Sequence, residues 1–415
     1  MTMAEKVLAR ASGRASVRPG DYVTAGIDRV MTHEGFAGCY RVLSRAGVNQ
    51  VWDPERIVVL LDHSVPPPDI ASAETHKLVR EGVARYGIKN WYDMKAGICH
   101  QVMPERGHVI PGELVLGCDS HTTTYGAFGT AATGIGVSEM AYVLATGELW
   151  LKVPPTLRFV LSGEFAPRVT SKDLILHIAG KYTTEVAQYR AVEFVGPLAD
   201  RMSLASRMTV SNMGVEIGAK FAFFNADATT LAFLEGRTPQ PATPFAADTG
   251  AVYEATYEVD VSGLEPQVAM PHDVGNVRPV SAVGDVPVDQ AFLGSCTNGR
   301  LEDLEMAAAI VSGKKVHGDT RLLVFPASYE VYLAALRSGA LETLVEAGAV
   351  VCNPGCGPCL GGHMGLLASG EKCIASSNRN FKGRQGSAEA EVYLGSPATV
   401  AAAAVAGRIV DPREV

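Results

Sequence analysis

Short apolar runs alternate with helical patterns along the first 150 residues. Residues 57–61 (IVVLL) and 113–117 (ELVLG) predict buried strands, and residues 137–147 predict a helix. The N-terminal residues before Arg14 predict an amphipathic helix. Strands that alternate with helices are typical of a parallel sheet. The pattern therefore predicts an α/β fold for this part of the chain.

The pattern changes at Val153-Pro154-Pro155, where we expect a boundary. Beyond it, the apolar spacing predicts two further strands, two helices and a linker rich in Pro, Gly and Val. The strands cover residues 157–161 and 191–196, the helices residues 171–180 and 211–224, and the linker residues 264–288.

The last third repeats a strand-helix unit most clearly. Strands are predicted at residues 290–293, 322–325, 349–351 and 373–375, and helices at residues 302–312, 329–337 and 397–407. We therefore expect three α/β domains, formed by residues 1–152, 153–278 and 279–415. In such sheets ligands bind beyond the carboxyl ends of the strands.

The composition argues against a nucleic-acid-binding protein and against a membrane protein. Apolar residues make up 47% of the 415 residues, and the net charge is −8 with no run of Lys or Arg. An acidic chain of this kind argues against nucleic acid as a partner. No stretch reaches the ~20 apolar residues of a membrane span, and the N-terminus lacks the apolar core of a signal peptide. We expect a cytoplasmic protein.

Three of the eight cysteines lie in glycine-rich loops that follow predicted strands. Cys296 lies in GSCTNGR, and Cys356 and Cys359 form C-x-x-C in CNPGCGPCLGG. Reduced, clustered thiols indicate metal. An iron–sulfur cluster with one open iron, a zinc site completed by His363, and a redox dithiol all remain possible. We interpret Cys352, on the strand side of the loop, as a buried thiol.

Other polar side chains that suit proton transfer or carboxylate binding also follow predicted strands. Asp–His neighbours can fix an imidazole for proton transfer, although Asp62 and Asp119 would also suit turn caps. Arginine forks bind carboxylates, and asparagine amides can donate to sulfur or substrate. The candidates are Asp62, His63, His100, Asp119, His121, Asn298, Asn378, Arg379 and Arg384. Glu216 reads either as a helix-surface glutamate or as an acid or base.

Taken in order along the chain, these motifs resemble the aconitase superfamily. They are the DH pair, GICHQ, DSHT, GSCTNGR, CGPCLGG and SNRNFKGR. The resemblance covers nearly the whole chain and is strongest to the compact large subunits of isopropylmalate-type dehydratases.

The resemblance implies three α/β domains around a central [4Fe–4S] cluster with one open iron. Cys296, Cys356 and Cys359 would be the cluster ligands. The active-site positions that handle the hydroxyl and its proton would be Asp62, His63, His100, Asp119, His121 and Glu216. Asn212 and Asn378 would lie near the cluster or substrate, and Arg379 and Arg384 would bind carboxylate.

The resemblance also implies a hydro-lyase that isomerises a small hydroxy di- or tricarboxylate, with 2-isopropylmalate of leucine biosynthesis as the first expectation. A separate small subunit would supply a swivelling domain and the catalytic serine. Homocitrate, methylmalate and dimethylmalate are alternative substrates, because His33-Glu34-Gly35 and residues 181–188 and 353–356 depart from the expected pattern. Non-enzymatic alternatives are an RNA-binding protein and a zinc-stabilised scaffold.

Overall fold

The computed structural model describes all 415 residues, which form fourteen α-helices and eighteen strands. The strands are β1 (Tyr22–Gly26), β2 (Arg29–Thr32), β3 (Ile57–Leu60), β4 (Asn90–Tyr92), β5 (Leu114–Gly117), β6 (Ala131–Gly134), β7 (Glu148–Lys152), β8 (Thr156–Ser162), β9 (Ala191–Val195), β10 (Phe221–Phe224), β11 (Ala255–Asp260), β12 (Gln267–Ala269), β13 (Val277–Pro279), β14 (Gln290–Gly294), β15 (Arg321–Phe325), β16 (Val350–Val351), β17 (Lys372–Ala375) and β18 (Glu391–Leu394).

The helices cover the faces and edges of these sheets. They are α1 (Met3–Ala11), α2 (Phe36–Arg45), α3 (Ile70–Tyr86), α4 (Cys99–Glu105), α5 (Val137–Thr146), α6 (Ser171–Tyr182), α7 (Pro197–Arg201), α8 (Leu204–Asn212), α9 (Ala228–Leu234), α10 (Ser295–Asn298), α11 (Leu301–Val311), α12 (Tyr329–Arg337), α13 (Ala340–Ala347) and α14 (Pro397–Ala406). Four 3₁₀ helices span Ser120–Phe128, Met213–Ile217, Val280–Ala282 and Gly357–Leu360.

The first sheet has five parallel strands in the order β4-β3-β2-β5-β6. Strands β3 and β5 are buried at every position, as expected for strands covered on both faces. The chain leaves β2 towards one side and β5 towards the other. Their carboxyl ends therefore border the crevice where α/β sheets bind ligands. A separate antiparallel ribbon joins β1 to β7.

The second sheet is also parallel, in the order β10-β9-β8-β11. The third has seven strands in the order β13-β12-β18-β17-β14-β15-β16. Its five strands from β18 to β16 are parallel, while β12 and β13 add an antiparallel edge. Strands β14 and β17 lie side by side, so the loops that follow them emerge together.

The α/β class and most of the predicted elements are confirmed, but the prediction of one helix over residues 211–224 is wrong. Helix α8 ends at Asn212, a 3₁₀ turn follows, and Gly218 ends that turn with φ +85°. The aromatic run at 221–224 is the buried strand β10. Aromatic side chains favour strands, and the left-handed glycine separates the two elements.

The predicted linker at residues 264–288 is also wrong in part, because it contains β12 and β13. Each of these strands is three residues long, too short for a periodic pattern to be visible. Both belong to the third sheet, although they fall before residue 279. The division into residues 1–152, 153–278 and 279–415 stays a prediction. None of the helices combines the length and apolar character needed to cross a membrane.

Candidate active site

One buried cavity is lined by side chains from loops that follow strands of the first and third sheets. Its lining residues are His63, Ile98, His100, Asp119, His121, Cys296, Cys356, Cys359, Leu360, Asn378 and Arg384. Nine of these belong to the predicted site. The other four predicted residues stand just behind the lining: Asp62, Asn212 and Glu216 each bond a lining residue, and Arg379 pairs with Glu216.

Cys296 reaches the cavity through a tight turn at the end of β14. Gly294 has φ +146°, and a Cβ there would lie 2.4 Å from the Phe325 carbonyl oxygen. Ser295 follows with φ +70°, a conformation that costs a non-glycine residue free energy. The turn therefore starts the one-turn helix α10 and leaves Cys296 only 5% exposed.

Cys356 precedes a short 3₁₀ turn in the loop after β16, and Cys359 lies within that turn. Gly357 has φ +56°, and a Cβ there would lie 2.7 Å from the Phe325 ring. Only glycine allows this close approach at that backbone conformation. Both thiols are buried, at 6% and 5% exposure. Thus the three cysteines from two loops share one cavity.

Two asparagine side-chain amides contact the sulfur atoms of Cys296 and Cys359. Asn212 Nδ2 donates to Cys296 Sγ at 3.2 Å, and Asn378 Nδ2 approaches the same sulfur at 3.4 Å. Asn378 Oδ1 lies 3.6 Å from Cys359 Sγ. Amide N–H groups stabilise sulfur that carries negative charge, whether thiolate or sulfide.

The thiol environment fits a bound metal or iron–sulfur group. Burial raises the pKa of Cys296 well above its usual value, and the nearby Cys356 and Cys359 raise it further. Burial raises the pKa of Cys356 to about 11. A bound metal or cluster takes the place of the thiol protons, because its ligands are thiolates. Its positive charge offsets the repulsion between three thiolates that lie close together. The donor set is sulfur-rich, as iron–sulfur clusters require.

The zinc alternative lacks its fourth ligand in this cavity. His363 does not line it, and its Nε2 donates to the Pro66 carbonyl oxygen at 3.0 Å. A Cys₃His zinc site therefore requires His363 to leave that hydrogen bond and turn towards the thiols. The position of His363 therefore favours an iron–sulfur cluster over zinc as the group bound by the three thiols.

Three imidazoles line the cavity, and each pairs with a carboxylate. The His63 Nδ1 to Asp62 Oδ1 distance is 2.6 Å, His100 Nε2 to Asp119 Oδ1 is 2.7 Å, and His121 Nε2 to Glu216 Oε1 is 2.7 Å. These pairs are all buried or nearly so. Asp119 lies at the centre, because Oδ2 is also 3.7 Å from His63 Nε2. Each carboxylate fixes the ring that it contacts.

Burial opposes ionisation of Asp119, but hydrogen bonds from His100, His121 and His63 hold its pKa well below the usual range. Burial likewise opposes charging of His121, yet Asp119 and Glu216 raise the pKa of that imidazole. By contrast, burial dominates at His100 and lowers its pKa. The pKa values of the two imidazoles are thus shifted in opposite directions, which suits a site where one group donates a proton and another accepts it.

The two arginines of SNRNFKGR have different environments. Arg379 Nε lies 2.7 Å from Glu216 Oε1, and Arg379 Nη1 donates to Ser120 Oγ at 3.0 Å. Arg384 lines the cavity, forms no salt bridge, and has a buried Nε without a hydrogen-bond partner. An unpaired guanidinium in a cavity suits a carboxylate that the protein does not supply. Arg384 is therefore the better placed of the two to bind substrate.

Sequence reasoning missed three residues that support this cavity. Lys172 is fully buried, and its ammonium donates to the carbonyl oxygens of Ser376 and Ser377 at 2.7 and 2.5 Å. Burial lowers the pKa of Lys172 to about 7. These bonds hold the start of the loop that carries Asn378.

Arg300 and Tyr125 are the other two. The guanidinium of Arg300 donates to the carbonyl oxygens of Cys296 and Thr297, both at 2.6 Å, and so closes the cysteine loop. Tyr125 places its hydroxyl 3.2 Å from His100 Nδ1. Arg300 ends the GSCTNGR motif, and that position was the only signal in the sequence that pointed to it.

The fold and cavity define an α/β protein whose thiols, imidazoles and arginine converge at sheet edges. The family model for the aconitase family (aconitate hydratase) matches residues 5–285 and 281–407. The chain belongs to the aconitase family, which confirms the resemblance seen in the motifs. Membership in this family implies an iron–sulfur cluster, in agreement with the thiol set.

Full-length relatives agree with this assignment. The chain is 53% identical to the probable 3-isopropylmalate dehydratase large subunit of Methanothermobacter thermautotrophicus and 51% identical to 3-isopropylmalate dehydratase large subunit 1 of Methanopyrus kandleri. Each match covers 99% of both chains. It is 49% identical to the probable methanogen homoaconitase large subunit of M. thermautotrophicus, over 100% of this chain and 98% of that protein.

Replacing Cys359 with serine tests the thiol assignment. We expect Cys359→Ser to lose bound iron and acid-labile sulfide after anaerobic reconstitution, because serine is a poor ligand for these clusters. Iron analysis and visible absorbance measure the loss. Cys352→Ser is the matched control, since this half-buried thiol is in the same loop but does not line the cavity. A Cys359→Ser protein with a full complement of iron would show that Cys359 is not a ligand.

Proposed function

We propose that this chain is the large subunit of a [4Fe–4S] hydro-lyase that converts 2-isopropylmalate into 3-isopropylmalate. Cys296, Cys356 and Cys359 would hold the cluster, and one of its irons would then have no protein ligand. The observation that carries the proposal is a single cavity in which three thiols adjoin three carboxylate–imidazole pairs and an unpaired arginine. Dehydration breaks one C–O and one C–H bond, and rehydration remakes them on exchanged carbons.

When bound, an iron with an open position supplies a Lewis acid for the hydroxyl and an adjacent carboxylate of the substrate. Arg384 would bind a substrate carboxylate, because its guanidinium lacks a partner in the protein. Its charge would also stabilise the negative charge that builds on this carboxylate as the carbon-bound proton leaves. The side-chain amides of Asn212 and Asn378 would donate hydrogen bonds to Cys296 Sγ.

The imidazole–carboxylate pairs would handle the proton of the hydroxyl group. His100 Nε2 faces Asp119, and His63 Nε2 lies on the other oxygen of the same carboxylate. This arrangement can pass a proton to a departing hydroxide and later take it back from water. Glu216 would hold His121 and Arg379 in place, since one of its oxygens lies 2.7 Å from each.

The base for the carbon-bound proton would come from a second subunit. No serine is among the residues that line the cavity, and the hydroxyl of the nearby Ser120 accepts a bond from Arg379. The relatives from three organisms carry names that describe large subunits. We therefore propose a small subunit that supplies a swivelling domain and the catalytic serine.

Homocitrate or homoaconitate is the second candidate substrate. The relative named as a homoaconitase large subunit is 49% identical, close to the 53% and 51% of the two isopropylmalate relatives. The same cavity can serve both acids, because Arg384 recognises a carboxylate that they share. The small subunit would then contribute much of the discrimination between the two candidate substrates.

A turnover assay tests the proposed reaction. The chain is reconstituted anaerobically with iron and sulfide and mixed with the small subunit encoded by the same source. We expect ultraviolet absorbance of the unsaturated acid to rise with 2-isopropylmalate, because dehydration creates a conjugated double bond. Homocitrate and methylmalate serve as parallel substrates. Turnover of homocitrate without isopropylmalate would contradict the substrate, and silence on all three with an intact cluster would contradict the reaction.

Arg384→Lys tests the carboxylate site. Lysine keeps the charge but cannot form two parallel bonds, so we expect kcat/KM to fall by about 10- to 100-fold, equivalent to ~1.4–3 kcal/mol. Steady-state kinetics with unchanged cluster content measures this loss. Arg408→Lys, at an exposed surface salt bridge, is the matched control. Wild-type kinetics in Arg384→Lys would remove this residue from the site.

A further inference from the structure

Glu34 lies between two of the loops that form the cavity. Strand β2 ends at Thr32 and is hydrogen-bonded to β3 on one side and β5 on the other. The residues that follow it, His33 and Glu34, therefore emerge between the loop after β3 and the loop after β5. The side chain of Glu34 is 13% exposed. It does not line the cavity and has no role in the reaction described above.

One oxygen of Glu34 binds three consecutive backbone amides. Oε1 accepts N–H groups from Asp62 at 3.2 Å, His63 at 2.9 Å and Ser64 at 3.0 Å. Successive amides that point at one atom form a concave anion site, and a carboxylate makes stronger bonds there than a neutral acceptor. Glu34 thus holds the backbone of the loop that presents His63.

The same loop is bonded to the thiol loop. The Asp62 carbonyl oxygen accepts the backbone N–H of Cys356 at 3.2 Å, and Asp62 Oδ2 accepts that of Cys99 at 2.6 Å. Any displacement of residues 62–64 would therefore move the backbone of Cys356 as well as the ring of His63. A single carboxylate outside the cavity fixes groups on both sides of it.

The second oxygen of Glu34 faces imidazoles. Oε2 is buried without a hydrogen-bond partner, 3.6 Å from His33 Nδ1 and 3.7 Å from His63 Nδ1. The His33 ring stacks on the His63 ring with centroids 4.2 Å apart. His76 Nε2 is 3.5 Å from Oε1. The carboxylate charge is thus placed to hold the stacked pair as well as the backbone.

A metal ion bound by His33, Glu34, Asp62 and His63 is the rival reading, because their donor atoms lie within 4.8 Å of one another. Apart from Glu34 Oε2, the carboxylate oxygens of this group are already engaged. Both oxygens of Asp62 accept hydrogen bonds, and Glu34 Oε1 accepts three from amides that cannot lose their protons. A cation would have to break this network, so the cluster acts as a hydrogen-bonded support.

The geometry points to Glu34 as a positioning residue that fixes the backbone of residues 62–64 and the His63 ring for the hydration chemistry. The inference rests on the proposed function for its catalytic consequence. The clamp on residues 62–64 stands on the hydrogen bonds alone.

Hydrogen exchange tests the clamp without any substrate. In Glu34→Ala, the amides of residues 62–64 lose their acceptor, so we expect their exchange to accelerate at least about tenfold while distant peptides stay unchanged. Mass spectrometry of the reconstituted protein measures this. Glu81→Gln, exposed on α3, is the matched control. Unchanged exchange at residues 62–64 would overturn the clamp, whatever the substrate proves to be.

Kinetics of the complex with the small subunit tests the catalytic consequence. We expect Glu34→Gln to lower kcat about 10- to 100-fold with KM changed less than about threefold, at wild-type iron content and thermal stability. Glu34→Asp keeps the charge and should recover part of the lost kcat. Wild-type kcat in Glu34→Gln, or a loss that follows iron content and stability alone, would overturn the positioning role. An inactive wild-type complex with normal exchange behaviour would instead contradict the proposed function.

Discussion

Three buried thiols share one cavity, and the chemistry of the site follows from that arrangement. Burial and mutual repulsion keep the pKa of Cys296 high, so without a metal the thiolates are unfavourable. The surroundings supply amide donors for a metal-bound thiolate from Asn212 and Asn378, and the amine of Lys172 is buried nearby. The same burial strengthens the charge interactions of the imidazole–carboxylate pairs in the cavity.

The parallel sheets bring these groups together at their carboxyl edges. Neighbouring strands β3, β2 and β5 end in loops that carry Asp62, Glu34 and Asp119, and strands β14 and β17 end in loops that carry Cys296 and Asn378. A side chain that follows closely after a strand is held in place by the rigid sheet. The cavity is thus built mainly from backbone positions that two sheets fix, and supporting groups such as Arg300 lock the remaining freedom.

Much of this arrangement could be predicted from the sequence. The cysteines and Asp–His pairs follow apolar runs that are recognisable as strands, so their convergence followed from the rule for parallel sheets. The contact of Lys172 could not be predicted, because it joins residues far apart in the chain: Lys172 bonds Ser376, 204 positions away. Glu34 stood out in the sequence only as a departure from the expected pattern. Its role could not be predicted, because β2 (RVMT) has just two consecutive apolar residues and was not recognised as a strand. Likewise, the pattern over residues 211–224 did not reveal the turn at Gly218.

We propose that three thiolates hold a cluster and that one iron is left for the substrate. Mössbauer spectroscopy of protein reconstituted with ⁵⁷Fe, before and after addition of 2-isopropylmalate, tests it most directly. We expect one iron site of four to change its isomer shift and quadrupole splitting when substrate oxygen binds, while the other three keep theirs. A protein that turns over with no change at any iron, or that holds zinc in place of iron, would contradict it.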